Sequence, residues 1–240
     1  MTGPDFGERR FLAVASDYDG TLAEAGFVSE ATLDALKRFK ARKGALILVT
    51  GRVLPELQQL FPALDVFDLV VVENGALLYW PKSGQTRLLA EAPPPEFVAK
   101  LERMGVGPIS VGHCIVATWE PHEAAVLEAI RELGLDLSII FNKGAVMILP
   151  TGVNKASGLE AALAALSLNA SDAIGFGDAE NDLAFLKLCG LSVAVSNALD
   201  SVKQAANWTT QQPRGAGVTE VLDQYLASEK TVPSPFVGEG

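Results

Sequence analysis

At 240 residues the chain has room for one large domain, or for a core domain carrying a smaller insert, and its 49% hydrophobic and 20% charged residues are the balance of an ordinary globular protein. A net charge of -10 argues against a nucleic-acid partner, whose phosphates demand a basic face. Cys114 and Cys189 stand far apart with no C-x-x-C pair, so neither a disulfide framework nor a zinc site is expected; no run approaches ~20 apolar residues, so no membrane partner is expected and a cytoplasmic location follows by default.

The first element is Phe11 to Ala15, a short apolar run that stops at Ser16-Asp17-Tyr18-Asp19-Gly20, which is how a buried strand empties into a polar turn. Leu33, Leu36 and Phe39 recur at helical spacing within Glu30 to Lys43, with Ser29 as the cap. Ala45 to Val49 is a second all-apolar strand and breaks into Thr50-Gly51-Arg52; a helix over Leu54 to Phe61 and a strand over Val66 to Val72 follow, the latter ending in Glu73-Asn74-Gly75. Strands apolar on both faces and alternating with helices predict an α/β fold, a doubly wound, mostly parallel sheet of Rossmann-like design.

The rhythm then changes. Ala76 to Tyr79 and Arg87 to Leu89 are expected to form a hairpin leaving the core, and after Pro93-Pro94-Pro95 the chain reads as one helix and two strands, done twice, up to Leu149. That is an α+β insert. The core resumes with a helix from Lys155 to Leu166, a strand at Ala173 to Phe176, a helix from Glu180 to Leu188, a strand at Ser192 to Val195, and helices at Ala198 to Ala206 and Val218 to Ala227. The expected division is therefore core over 1–81 and 151–227, insert over 82–150, and a mobile Pro/Gly-rich tail over 228–240.

In a parallel sheet the carboxyl ends of the strands share one edge, where ligands bind, so the polar turns should converge. Asp17 and Asp19 face one small volume if the extended geometry persists; at an effective dielectric of about 20, two such charges about 4 Å apart cost roughly 4 kcal/mol, so the pair needs a metal, a cation or a proton. Asp178 and Asp182, four apart, are expected on one helical face, and with Asp17 they offer three carboxylates to a hard cation such as Mg²⁺. Thr50, Gly51, Lys155 and Asn181 supply donors for phosphate oxygens, and acids for a metal beside donors for a phosphate are what phosphoryl transfer requires.

Asp17-Tyr18-Asp19-Gly20-Thr21-Leu22, Thr50-Gly51-Arg52, Lys155 and Gly177-Asp178-Ala179-Glu180-Asn181-Asp182 resemble, in order, the four motifs of the haloacid dehalogenase-like phosphatases. The insert between the second and third resembles the small α+β cap of their Cof-type class, IIB, as do Glu73-Asn74-Gly75 and Ser196-Asn197-Ala198. The resemblance implies that Asp17 attacks phosphorus and forms an aspartyl-phosphate, and that Asp19 acts as general acid and then base. It further implies that Thr50, Gly51, Lys155 and Asn181 hold the phosphate. Mg²⁺ would be bound by Asp17, the Asp19 main-chain carbonyl and Asp178, with Asp182 in support. His113 and Lys143, in predicted hairpin turns of the insert, are the expected cap contacts to a small phosphorylated metabolite, of the sugar phosphate or phosphoglycolate class. The alternatives are a phosphomutase using the same aspartyl-phosphate and a receiver-like phospho-acceptor module without turnover; oligomeric state is not legible.

Overall fold

A computed structural model describes Pro4, Phe6 and residues 9–229 of the chain. Its first part runs β1 (Ala13–Ser16), α1 (Glu30–Ala41), β2 (Ala45–Val49), α2 (Leu54–Leu60), β3 (Leu69–Val72), β4 (Leu77–Trp80) and β5 (Gln85–Leu88). Next come α3 (Pro95–Arg103), β6 (Ser110–Val111), β7 (Val116–Trp119), α4 (Glu123–Leu133), β8 (Leu137–Asn142) and β9 (Ala145–Pro150). The chain closes with α5 (Lys155–Ala165), β10 (Ala173–Gly177), α6 (Leu183–Leu188), β11 (Leu191–Ala194), α7 (Asp200–Ala205), β12 (Trp208–Thr209) and α8 (Arg214–Glu229).

Among the described residues the main sheet has the order β12-β11-β10-β1-β2-β3-β4-β5, parallel from β12 to β3. All of β1, β3, β10 and β11 is buried, which is why these segments carry no alternation of polar residues: helices cover both faces. Helix α1 begins where Ser29 Oγ accepts the Thr32 amide (3.2 Å) and presents Ala35, Leu36 and Phe39 to the core. At the far end of the chain, the Tyr225 hydroxyl of α8 accepts the Phe11 amide (2.8 Å) and donates to the Phe11 carbonyl (3.2 Å), fastening the last helix to the start of the central strand.

The hairpin does not leave the core. Strand β4 pairs antiparallel with β3 (Val71 opposite Leu78), and β5 pairs with β4 (Leu77 opposite Leu88), so residues 85–88 lie in the main sheet and not in the insert. Leu77 and Leu78 explain the difference: both are buried, and a strand with that apolar surface stays where it can be covered. At the other end, Ser228 and Glu229 belong to α8 and not to a tail; the remainder of that expected tail lies outside the described residues. Strand β12 was not foreseen, because two residues carry no periodicity.

A second sheet of order β6-β7-β9-β8, antiparallel throughout, is roofed by α3 and α4, as the doubled helix-and-two-strands pattern predicts. Its side chains alternate with period two. Val116, Val146 and Ile148 pack under Phe97, Leu101, Val126 and Ile130 of the roofing helices. Ile115, Met147 and Leu149 point the other way and pack with Ala76 of the core. The cap sheet is apolar on both faces because one face is a domain core and the other closes over the carboxyl edge of the main sheet.

Gly75 fixes how closely α5 approaches that edge. It has φ +113°, and a Cβ there would fall 2.0 Å from the Asn154 carbonyl oxygen at the start of α5. Gly75→Ala is expected to cost roughly 3 kcal/mol or more, combining backbone strain with the clash, whereas Gly84→Ala, at φ +70° with nothing within 4 Å, should cost only about 1 kcal/mol. Urea midpoints of the two variants against the parent check the difference.

Candidate active site

Strand β1 continues its pairing one residue beyond Ser16, the Asp17 amide donating to the Phe176 carbonyl (3.0 Å), and this carries the Asp17 side chain into the edge of the sheet, where it is buried. Lys155 is the first residue of α5. It is held there by a capping box in which Asn154 Oδ1 accepts the Ala156 and Ser157 amides (2.9 and 3.1 Å) and Ser157 Oγ accepts the Asn154 amide (3.0 Å). The Lys155 side chain is 2% exposed, and its Nζ donates to Asp17 Oδ1 and Asp182 Oδ1, both at 2.6 Å.

Asp182 is not paired with Asp178 along a helical face. Residues Glu180–Asp182 form a 3-10 turn, and the Asp182 carboxylate folds back so that Oδ2 accepts the amides of Asp178 (2.8 Å) and Ala179 (2.9 Å). With Oδ1 on Lys155, both its oxygens are engaged: Asp182 orients the loop that carries Asp178. Asp178 itself is buried, with Oδ1 accepting from Thr21 Oγ1 (3.3 Å) and Oδ2 from Lys143 Nζ (2.6 Å).

Burial pushes the Asp17 carboxyl up to about 7, with Asp182 and Asp178 adding to the rise and Lys155 opposing it. Burial also raises Asp178, against the pull of Lys143. Lys155 loses solvation too, but the two carboxylates more than offset that, and its ammonium is held protonated well beyond the ordinary lysine range. One oxygen from each of Asp17, Asp178 and Asp182 lies within 4.8 Å of the others. Three buried carboxylates whose mutual repulsion favours added positive charge, all hard oxygen donors, fit a divalent cation.

Asp17 and Asp19 both line one cavity, but the chain turns at Tyr18 and they do not stand there as an uncompensated pair. Asp19 instead meets Arg52 in a two-point contact, Nε to Oδ2 at 2.6 Å and Nη2 to Oδ1 at 2.7 Å. Arg52 was visible only as the third letter of Thr50-Gly51-Arg52; nothing local announces that it faces the acidic turn. Thr50 is buried with Oγ1 accepting the Arg52 amide (3.2 Å), and Asn181 Nδ2 donates to Asn74 Oδ1 (3.0 Å). Asn197, in the Ser196-Asn197-Ala198 turn, donates from Nδ2 to the Gly20 carbonyl (2.8 Å) and so steadies the Asp17–Asp19 loop.

These groups line a cavity of about 370 Å³. Its floor carries Asp17, Thr50, Gly51, Lys155, Asp178 and Asn181; Asp19 and Arg52 stand at its side, and its roof is the cap, with Ser110, Ile115, Ala117, Trp119, Asn142 and Met147. Lys143 reaches the site from the β8–β9 turn through Asp178. His113 does not reach the cavity. Its side chain is 55% exposed and its Nδ1 lies 3.1 Å from Glu73 Oε1.

A family model described as haloacid dehalogenase-like hydrolase matches residues 14–103 and 110–222. Among proteins of similar sequence, a phosphoglycolate phosphatase of Methanothermobacter thermautotrophicus is 28% identical over 225 residues, covering 89% of this chain and 98% of that protein. Phosphoglycolate phosphatase 2 of Saccharolobus solfataricus is 30% identical over 230 residues, covering 93% and 95%. A haloacid dehalogenase-like hydrolase from Bacteroides thetaiotaomicron superposes with TM-score 0.78 at 18% identity, over 90% of this chain and all of the other. A sugar phosphatase of subclass IIB gives TM-score 0.72 at 19% identity, over 89% and 98%. No helix among the described residues is long and apolar enough to cross a membrane.

Lys155→Met would leave Asp17 and Asp182 buried without their cation, and is expected to cost about 3–5 kcal/mol of stability at pH 8. The loss should shrink toward pH 5, because the folded variant then takes up protons on the two carboxylates more readily than the unfolded chain does. Chemical denaturation at the two pH values reads the difference.

Proposed function

The chain belongs to the haloacid dehalogenase-like hydrolase family, as one of its phosphatases, and from that premise we propose that it is a cytoplasmic, Mg²⁺-dependent enzyme that removes the phosphoryl group of a small metabolite through an aspartyl-phosphate. The observation that carries the reading is the position of Asp17: a buried carboxylate at the floor of a cavity, 2.6 Å from a buried ammonium and grouped with two further acids. A phosphate dianion repels a carboxylate nucleophile, and positive charge held beside both removes that obstacle.

In this reading Asp17 Oδ attacks phosphorus while the ester bond to the leaving oxygen breaks, and Asp19 gives that oxygen its proton. Asp19 then takes a proton from the water that attacks the aspartyl-phosphate, releasing inorganic phosphate and restoring Asp17. Arg52 holds the Asp19 carboxylate at the cavity side between these steps; when Asp19 carries the proton, one of its two Arg52 contacts gives way to the leaving oxygen. Thr50, the Gly51 amide, Lys155 and Asn181 hold the phosphate oxygens. Asp17, the Asp19 carbonyl and Asp178 would hold Mg²⁺, with Asp182 fixing Asp178; the ion, when bound, supplies further charge for the transferring group. Lys143 reaches Asp178 from the cap without lining the cavity, so its part in this reading is to hold Asp178.

A cavity of about 370 Å³ beneath the cap is at the small end of the range that small-molecule sites occupy, which favours phosphoglycolate or the smaller sugar phosphates. The two sequence relatives named above are phosphoglycolate phosphatases, which supports the first of these as the substrate to try before others.

Phosphate release from a panel of phosphorylated metabolites tests the proposal. EDTA should lower the rate by about 100-fold or more, Asp17→Asn by ~10³-fold or more, and Asp19→Asn should accumulate a base-labile phosphoenzyme while turnover stops. Phosphate that stays on an organic product would indicate a mutase, and an Asp17→Asn variant with parental activity would end the assignment. Since burial raises Asp17 to about 7, Mg²⁺ must displace a proton below that pH; calorimetric affinity for Mg²⁺ is expected to climb with pH up to about 7 and level off above it.

A further inference from the structure

Glu73 has no part in the chemistry above, yet its side chain is 0% exposed. It follows β3 at once, with φ +52°, and its amide donates to the Arg52 carbonyl (2.9 Å). Its carboxylate crosses to the cap. Oε1 accepts the His113 amide (2.9 Å) and lies 3.1 Å from His113 Nδ1; Oε2 accepts the amides of Cys114 (2.7 Å) and Ile115 (3.1 Å). Three successive main-chain donors of the insert thus converge on one core carboxylate. Gly112, just before them, lies flat against it, so that a Cβ there would fall 2.7 Å from Glu73 Cδ.

A buried carboxylate is costly unless hydrogen bonds replace its water, and here the replacing donors come from the other domain. Docking the cap and satisfying Glu73 are therefore one event. If the cap lifts, water can solvate both partners, so the contact is strong when closed and still reversible. Its position also matters for recognition: Ile115, last of the three donors, packs against Ala76 and Met147 and, with Ala117 beyond it, lines the cavity roof. On the core side the next residue, Asn74, donates its amide to the Thr50 carbonyl (3.0 Å) and accepts from Asn181.

We propose that Glu73 is the core's docking residue for the cap: by binding the amides of residues 113–115 it sets the height of the Ile115–Ala117 wall over the substrate's leaving group, and so acts as a positioning residue for substrate selection. The selectivity part rests on the phosphatase reading; the docking part does not.

Hydrogen exchange of the full-length chain tests docking without any substrate. In Glu73→Ala, and independently in Gly112→Ala, which pushes the loop away from the cap side, the amides of 113–115 should exchange about tenfold faster or more, while those of β7 and β9 stay within about twofold of the parent. In the same variants, kcat/KM for the preferred metabolite relative to that for acetyl phosphate, whose leaving group is small, should fall about tenfold, the equivalent of losing one good hydrogen bond's worth of positioning. Glu73→Gln keeps one acceptor oxygen and should lie between. Unchanged exchange at 113–115, equally faster exchange across the whole cap sheet, or a selectivity ratio that does not move would each overturn the proposal. If Glu73→Ala fails to fold, Gly112→Ala decides the outcome by the same readings. An absence of phosphate release in the parent would sink the phosphatase reading alone and leave the exchange result to stand or fall by itself.

Discussion

The ammonium of Lys155, shared between Asp17 and Asp182 inside the protein, is the contact on which the site depends. Two buried carboxylates without this cation would repel each other, and with it the trio keeps one net negative charge, in line with the site's affinity for further positive charge. Together the three groups tie the end of β1, the start of α5 and the loop after β10 into one unit. The rest of the neighbourhood serves that arrangement. The Asn154–Ser157 capping box fixes where α5 begins, and Gly75 lets the helix start close enough for its first side chain to reach the sheet edge. Asp182 then spends its second oxygen on the amides of 178 and 179, so the same charge cluster also orients Asp178.

The core was readable from sequence because its strands are short, apolar on both faces and followed by polar turns, and topology alone sends those turns to one edge. Asp17, Thr50, Lys155, Asp178 and Asn181 meet in the cavity for that reason. What could not be read depends on partners distant along the chain. The polar turn at 16–20 is legible, but that Asp19 turns to Arg52, 33 residues on, is not. His113 is in a turn, as expected, but the turn's orientation is imposed by Glu73, 40 residues earlier. The β4–β5 hairpin has an ordinary turn sequence; only the burial of Leu77 and Leu78 keeps it in the main sheet.

The chain is acidic overall and is assigned an anionic substrate, which makes local charge placement decisive. Arg52, Lys143 and Lys155 each stand at the site, and each is paired with an aspartate of the motifs. Pairing holds these long side chains in place, Arg52 and Lys155 at the cavity and Lys143 on Asp178, and such preorganisation lowers the entropy cost of binding an anion. The cap contributes mainly apolar surface and a few polar atoms such as those of Ser110 and Asn142, whereas the charged groups gather at the floor and side.

The strand order also governs how the chain can assemble on the ribosome. Strand β1 sits between β2 and β10, and its register partner Ala173 follows Ala13 by 160 positions. At about 5–20 residues per second, one edge of this apolar strand waits roughly 8–32 s for its neighbour to be made. The cap, by contrast, is encoded in one uninterrupted stretch and has its own apolar cluster, so it can condense within that interval. Nascent chains halted before β10 emerges would present an open central edge with unpaired backbone groups, the kind of edge that invites pairing with another chain.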